Sequence, residues 1–319
     1  MRFKDKFVNV CRLGHYRRNT ELSYWDWARR FIKHTGCKSE ADMLDDRDGK
    51  VVEFLTVQAR RNVSVSTHRQ ALNALNFLYA VVLRQPFGKL PELELPKRPV
   101  RLPSVPATHG DTMRVVNAIP GRMGLIARLL YGTAMRISDA LRLRLQELDF
   151  AHNEILIRSS KGDKDRRVPM PKALREELFA LVTQREAEHL AEKRAGRGWV
   201  WLPGCYGIKN PKAHFQTAWQ YLFAADRESE DPDSRNRGRH HLTPEAVQTA
   251  FRVACAKLRL RRNITPHGLR HAAARELERR GTPLASIQAL LGHDDVNTTL
   301  RYLGAGARIP AATSPLDPA

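Results

Sequence analysis

Four side chains with complementary chemistry lie near the carboxyl end of the chain: His267, Arg270, His293 and Tyr302. His267 and Arg270 are three residues apart, so a helix places them on one face. Imidazoles, a guanidinium and a phenol, with no carboxylate pair and no cysteine cluster beside them, suit an anionic electrophile such as a phosphodiester. The stretch therefore predicts a site that acts on a phosphate ester.

Two further cations lie upstream in the sequence. Arg136 follows a Gly132-Thr133 break that opens a helix, and Lys161 falls at the turn of a predicted β-hairpin over 154–169. Both side chains can reach an anionic group, so they are added to the predicted site.

Short helices must position these side chains. Thr265-Pro266 is typical of a helix start and Gly281 of its end. A second helix restarts after Pro283 and ends at Gly292, which turns out the histidine that follows. A third helical stretch over 297–303 carries the phenol. Three short helices are thus predicted to meet at one point.

Composition predicts a polyanionic partner. The 319 residues include 54 Lys and Arg against 34 Asp and Glu, giving a net charge of +20 and a pI near 10.3. The excess is spread over the whole chain, which favours nucleic acid over the alternative of a merely soluble basic protein. There is no apolar run long enough for a membrane span and no secretory signal, and the four scattered cysteines are typical of reduced thiols. We expect a cytoplasmic, nucleoid-associated protein and no membrane partner.

The chain divides into two domains joined by a linker. Residues 1–85 are predicted to form a helical domain, with a loose basic arm over 1–18 and a last helix capped by Ser66 and ending near Arg84. Six prolines over 86–106 favour an extended linker, and residues 107–319 form a mostly helical second domain. Together they predict a two-domain clamp around a duplex. Predicted DNA contacts in the first domain and linker are Arg60, Arg61, His68, Arg69, Asn73, Lys97 and Arg98, the alternative being an ordinary solvated face.

The predicted site residues resemble those of a known family. The chain resembles the tyrosine recombinases of phage-integrase type in five features. These are Arg136, Lys161, the box His267-Gly-Leu-Arg270, the sequence Leu291-Gly292-His293, and Tyr302 nine residues later. The chain most resembles the integron integrases, because an extra segment over 193–241 ends in the basic stretch Arg237-Gly-Arg239-His240-His241-Leu242. The ending Ser314-Pro-Leu-Asp317 also fits them.

The resemblance implies a fold and a reaction. The fold is mainly α with a small β-hairpin, combining a helical core-binding domain with a catalytic domain that carries a short C-terminal tail. The reaction passes through a 3′-phosphotyrosine bond within a synaptic homotetramer, without ATP or metal. Integron integrases insert and excise gene cassettes and act on a folded single strand. Their base-holding positions match Trp219, Pro232, His240 and His241. Arg239, beside the histidine pair, is expected to bind DNA by holding the flanking phosphate.

Each catalytic residue has a predicted role. Tyr302 is the nucleophile, and because a phenol has a pKa near ~10 it needs cations and a base nearby. Arg136 and Arg270 bind the non-bridging phosphate oxygens with planar donor pairs, and His293 assists them. His267 is the expected base and Lys161 the expected acid for the departing 5′-hydroxyl, with Lys164 as a rival. Asp139 is expected to brace a guanidinium.

Three alternatives stay open. His267 and His271 are four residues apart, as in zinc-binding helices, but Gly268-Leu269-Arg270 replaces the general-base glutamate, so no metal or other cofactor is expected. The same chemistry on ordinary duplex sites is the first functional alternative, and a catalytically silent DNA-binding protein is the second. The chain also departs from the family at Gly268, at Ala272-Ala273 and at Leu303-Gly304-Ala305.

Overall fold

The computed structural model describes most of the chain in two compact units, residues 1–101 and 102–319, and each is considered by itself. The described residues are 2–61, 63–88, 107–158, 165–204, 206–231, 234–260, 263–293 and 295–303. Within the last helix the side chains of residues 297 and 301–303 are outside the description.

The described residues of the first unit form helices and the turns that join them. Its elements are α1 Phe3–Leu13, α2 Arg18–Thr35, α3 Glu40–Leu44, α4 Arg47–Arg60, α5 Val65–Phe77 and a π-helical turn Leu78–Val82. Aromatic side chains from these helices pack into one core, in which Phe31 meets Phe54 edge to face at 5.5 Å. The predicted helical N-terminal domain is confirmed.

The first helix shows that the predicted loose arm over 1–18 is wrong. Phe7 and Cys11 on α1 are completely buried, and Phe7 lies 5.3 Å from Trp25 and 5.4 Å from Phe77, measured between ring centroids. The two buried residues are four apart and so face one side of the helix. Such a short apolar stripe is hidden in the sequence by the basic residues around it.

Both ends of α5 differ from the prediction. Ser64, and not Ser66, caps the helix: its hydroxyl accepts a hydrogen bond from the Thr67 backbone N–H at 3.2 Å. The helix predicted to reach Arg84 instead closes in the π-helical turn Leu78–Val82. Two serines stand two residues apart here, and only the backbone conformation decides which one is the cap.

The second unit combines helices with two small antiparallel sheets. Apart from short 3-10 turns, the elements of its described residues are α6 His109–Ala118, α7 Gly121–Thr133, α8 Ile137–Leu141, β1 Leu148–Asp149, β2 Glu154–Ile157, β3 Arg166–Pro169, α9 Arg175–Arg194, α10 Tyr206–Lys209, β4 Ala224–Glu230, β5 Arg237–His241, α11 Pro244–Lys257, α12 Pro266–Arg279, α13 Leu284–Leu291 and α14 Val296–Leu303. Strands β1, β2 and β3 form the first sheet in that order, and β2 pairs with β3 from Glu154–Pro169 to Ile157–Arg166. The strands of the predicted hairpin are confirmed; its turn, with Lys161, lies outside the described residues.

Helix α7 lies at the centre of the second unit. Ile126, Leu129 and Leu130 are completely buried, and α12 packs directly against α7. On α12, Ala272 and Ala273, the two alanines that depart from the family pattern, are each 4% exposed. Small side chains allow two helix backbones to approach closely, so these alanines belong to the packing that positions the site.

The second sheet was not predicted. β4 and β5 pair within the extra segment, from Ala224–His241 to Glu230–Arg237, with an irregularity between Ala224 and Glu228. The residues of these strands are mostly polar or charged, so no apolar alternation marks them in the sequence. This sheet places His240 and His241 at the end of an ordered strand.

Candidate active site and nucleic-acid interface

Arg270 is the most deeply placed cation of the site. Thr265 caps α12, with its hydroxyl accepting from the Gly268 N–H at 3.0 Å, and Pro266 occupies the first turn. One turn further on, Arg270 is 1% exposed, and its guanidinium donates to the Ala134 carbonyl at 2.7 Å and to the Leu291 carbonyl at 2.5 Å. The side chain therefore joins α12 to the segments that carry Arg136 and His293.

His293 is presented by a left-handed turn. Gly292 ends α13 with φ of +62°, a conformation that costs little only in glycine. The imidazole Nε2 lies 3.1 Å from Arg270 Nη2, and Nδ1 lies 3.0 Å from the hydroxyl of Thr299, which is completely buried. The ring thus faces Arg270 through Nε2 and Thr299 through Nδ1. Thr299, which sequence reasoning missed, ties α14 to the turn.

Arg136 shares a carboxylate with a second arginine. It stands just before α8, after Ala134, whose φ is +52°, and its Nη1 is 3.8 Å from Asp139 Oδ2. The same oxygen accepts a hydrogen bond from Arg166 Nη2 at 2.9 Å. The structure thus brings Asp139 to a guanidinium, as the sequence predicts, and adds Arg166, which the sequence analysis missed.

His267 lies at the exposed edge of the same cluster. Partial burial, followed by the charges of Arg270 and Arg136, lowers the pKa of the imidazole. A neutral ring can accept a proton, whereas a protonated ring cannot, so this environment suits a general base. The ring of His271 meets it edge to face at 5.0 Å.

The remaining two predicted catalytic residues are only partly located. Tyr302 lies on α14, and that helix packs against α12 and α13. Its side chain, like Lys161 as a whole, is outside the described residues. The structure therefore brings together Arg136, His267, Arg270 and His293, and α14, which carries Tyr302, packs against the helices that hold them.

Comparisons with known proteins identify the family. The phage integrase family matches residues 110–307, and the phage integrase N-terminal SAM-like domain matches residues 3–89. This chain belongs to the phage integrase family. It is therefore a tyrosine recombinase, an enzyme of site-specific DNA recombination. The recombinase is 39% identical to an integrase/recombinase of Escherichia coli over 98% of this chain and 93% of that protein. It is 27% identical to tyrosine recombinase XerA of Pyrococcus furiosus over 93% of this chain and 87% of that protein.

Solved structures confirm the fold of the recombinase. A lambda integrase dimer bound to a core site matches with a TM-score of 0.63 and 14% identity, over 97% of this chain and 96% of that one. The Tn1549 transposon integrase in complex with circular intermediate DNA matches with a TM-score of 0.57 and 18% identity, over 95% and 94%. At these identities the likeness concerns the fold alone.

The extra segment of the recombinase holds its histidine pair among aromatic rings. His240 lies 5.0 Å from Trp201 and 5.3 Å from Tyr221, and His241 lies 5.3 Å from Tyr221, all between centroids. Burial is the main cause that lowers the pKa of both imidazoles, that of His241 to about 4. Both rings are therefore neutral at neutral pH and only partly exposed.

Trp219 and Tyr221 are anchored by a buried arginine. The Arg144 guanidinium stacks on the Tyr221 ring at 3.6 Å and donates to the Trp219 carbonyl at 2.6 Å. The partly exposed Trp219 ring also lies 4.8 Å from that of Tyr206. This arrangement fixes the backbone of the segment and leaves the indole near its surface. Pro232 is outside the described residues.

Arg239 is bonded to groups of the protein itself. Its Nε lies 2.5 Å from the buried Glu192 carboxylate, and its Nη1 donates to the carbonyls of Ala225 at 3.2 Å and Asp226 at 2.9 Å. These contacts engage Nε and Nη1, so the Nη2 donors are not used by them and the DNA contact of Arg239 stays a prediction. In this structure Arg239 holds the β4–β5 hairpin to α9.

The predicted DNA contacts of the first unit lie at one end of two helices. Arg60 and Arg61 close α4 with exposed side chains, Arg69 is exposed on α5, and His68 is partly buried. A groove of about 730 Å³ runs beside Arg69 and carries no carboxylate; it is lined by Asn19, Thr20, Ser23, Tyr24, Ser66, Thr67, Arg69, Gln70 and Asn73. Lys97 and Arg98 are outside the described residues.

The described residues contain neither a membrane-spanning helix nor a cluster of metal-binding side chains. No helix in this part of the recombinase is long and apolar enough to cross a bilayer. In the same residues no group of three or more His, Cys, Asp or Glu side chains is placed to hold a metal ion. Strand cleavage in the presence of a metal chelator tests the metal alternative directly.

Proposed function

We propose that this recombinase cuts and rejoins DNA through Tyr302, with Arg136, Arg270 and His293 binding the scissile phosphate. The observation that supports it is the bonding of Arg270, which joins the Arg136 segment to the His293 turn while α14 packs alongside. Convergent cations stabilise charge that develops on a pentacoordinate phosphorus.

The proposed reaction exchanges one phosphodiester for another and needs no cofactor. The Tyr302 oxygen forms a bond to phosphorus, the bond from phosphorus to the 5′-oxygen breaks, and Lys161 gives that oxygen a proton. His267, with its lowered pKa, takes the phenolic proton. Attack by the 5′-hydroxyl of a partner strand then reverses these steps, so that one phosphodiester replaces another and no ATP is consumed.

We further propose that the recombinase is of integron type and acts on a folded single strand as a homotetramer in the cytoplasm, at the nucleoid. Its support is the extra segment, in which His240, His241 and Trp219 offer neutral, partly exposed rings. Neutral rings suit an extruded base better than a phosphate. We propose that basic side chains contact the phosphates of the DNA backbone: Arg60, Arg61, His68 and Arg69 in the first unit, and Lys97 and Arg98 in the linker.

Recombination of ordinary duplex sites is the second candidate. The Arg136–Arg270 site binds a phosphodiester and makes no distinction between a folded strand and a duplex. A direct comparison separates the two. Strands and duplexes are selected for binding from one random-sequence library and are each incubated with the recombinase. Covalent complex on folded single strands supports the integron type, and covalent complex on duplexes alone supports the second candidate.

Replacing His240 and His241 together by Ala is expected to weaken binding to a selected folded strand by ~1–3 kcal/mol, the range for loss of a stacked base. Binding to duplex at fixed salt is expected to change little, because Lys and Arg contacts with phosphates govern it. Gel-shift titrations of both substrates measure the two affinities.

His214→Ala is the matched control for this double variant. His214 belongs to the same segment, stacks on Trp199 at 4.8 Å and is hydrogen-bonded to the Val200 carbonyl at 2.8 Å. It is expected to disturb the fold of the segment without changing the ratio of the two affinities. Equal losses on both substrates in the double variant would make the histidine pair a general contact.

Strand cleavage is expected to persist in excess EDTA, because arginine and histidine side chains supply the positive charge that a metal ion supplies in other enzymes. Covalent-complex formation is measured before and after chelation. Loss of the complex, with recovery on adding zinc or magnesium, would establish the metal alternative at His267 and His271.

A further inference from the structure

Arg166 is almost as enclosed as the carboxylate that it contacts. It begins β3, its side chain is 11% exposed, and its Nη2 lies 2.9 Å from Asp139 Oδ2, in a side chain that is 8% exposed. The contact joins the first sheet to α8 across a separation of 27 residues. A buried carboxylate is stable only when it is paired, so Arg166 is a main counter-charge of Asp139.

The same carboxylate faces Arg136 at a longer distance. Arg136 Nη1 lies 3.8 Å from Asp139 Oδ2, an ion-pair distance beyond the range of a good hydrogen bond. If Arg166 were absent, the described cation that still lies within ion-pair distance of Asp139 would be Arg136, and the carboxylate would turn to it. The guanidinium would then be held by the carboxylate and drawn away from an incoming phosphate.

Arg166 also lies along the turn that presents His293. A Cβ added at Gly292 would come within 3.1 Å of Arg166 Cδ and 3.2 Å of its Nη1. The arginine side chain therefore lies in the space that a side chain at position 292 would enter, directly beside this left-handed turn. One side chain thus contacts both supports of the site, the Asp139 carboxylate and the Gly292 turn.

We propose that Arg166 is a positioning residue for strand cleavage: it neutralises Asp139, so that Arg136 remains available for the phosphate, and it supports the turn before His293. The proposal rests on the proposed function of Arg136 and His293. It assigns Arg166 no contact with the phosphate, since the described guanidinium lies between a carboxylate and a backbone turn.

Arg166→Gln tests the proposal in the full chain, with a nicked suicide duplex and a folded strand of library-selected sequence as probes. The rate of covalent-complex formation is expected to fall roughly ten- to a hundred-fold, as for outer-shell partners that orient a ligand. DNA affinity is expected to stay within about three-fold, because Lys and Arg contacts elsewhere govern binding. Arg166→Lys keeps the charge and is expected to lose less.

Arg167→Gln is the matched control. Arg167 is the next residue of β3, its side chain is 58% exposed, and it pairs with Glu154 at 3.0 Å on the opposite face of the strand. Its loss is expected to leave the cleavage rate within about three-fold of wild type, as for a surface ion pair. A similar fall in both variants would mean that the strand, and not the Asp139 contact, is responsible.

A double-mutant cycle with Asp139→Asn separates positioning from general stability. If Arg166 acts by neutralising Asp139, the loss in Arg166→Gln/Asp139→Asn is expected to be smaller than the product of the single losses. Multiplicative losses, a wild-type rate in Arg166→Gln, or Arg166→Lys as slow as Arg166→Gln would overturn the proposal. So would a loss of affinity equal to the loss of rate, which indicates direct phosphate binding. Absence of covalent complex with the wild-type protein on either probe would instead refute the proposed function.

Discussion

Tyr302→Phe is expected to bind DNA with wild-type affinity and to form no protein–DNA complex that survives SDS. The substitution removes one oxygen, the atom that forms the bond to phosphorus, and leaves the ring and the α14 backbone in place. The Thr299–His293 bond one turn earlier on α14 is also kept. Covalent catalysis has no substitute for its nucleophile, so the loss is expected to reach the detection limit.

Tyr131→Phe is the control for this variant. Tyr131 lies on α7, which packs against α12, and its hydroxyl lies 2.7 Å from His109 Nδ1. The Tyr131→Phe protein is expected to form the covalent complex at the wild-type rate. Digestion of the wild-type complex and mass analysis of the DNA-linked peptide provide an independent measurement. A complex that persists in Tyr302→Phe, or a linkage mapped to Tyr131, Tyr206 or Tyr221, would refute the assignment.

Arg270→Lys is expected to slow covalent-complex formation by about 10²–10³-fold, the typical cost of losing a donor that stabilises a transition state. An ammonium keeps the charge but has no planar fork, so it cannot bond the Ala134 and Leu291 carbonyls while also facing His293. A buried carbonyl left without a donor costs about 1–3 kcal/mol, so the thermal midpoint is expected to fall as well. Single-turnover cleavage, DNA affinity and melting temperature are measured together.

Arg279→Lys, on the same helix, is the control for Arg270→Lys. Its side chain is 71% exposed and pairs with Glu276 at 2.8 Å, so the substitution keeps the local charge at a position away from the site. Cleavage and stability are both expected to stay near wild type. A cleavage rate for Arg270→Lys within ten-fold of wild type, at unchanged affinity, would remove Arg270 from the transition state.

The sequence by itself determined the parts of the site that depend on neighbours along the chain. Thr265 and Pro266 specify the start of α12, which fixes His267 and Arg270 relative to each other, and Gly292 specifies the turn before His293. Caps, left-handed turns and helical spacing act over a few residues, so their signals are legible in one sequence. The family and the two-domain helical fold follow from the same signals.

Only the tertiary structure decided which distant groups meet. Arg166 and Asp139 are 27 residues apart and Arg270 and Ala134 are 136 apart, and no local pattern records either contact. The sequence likewise gives no sign of the contact between Arg239 and Glu192, which are 47 residues apart. A charged side chain looks the same in a sequence whether it meets solvent, nucleic acid or a buried carboxylate, because its partner is set by the packing of whole helices and strands.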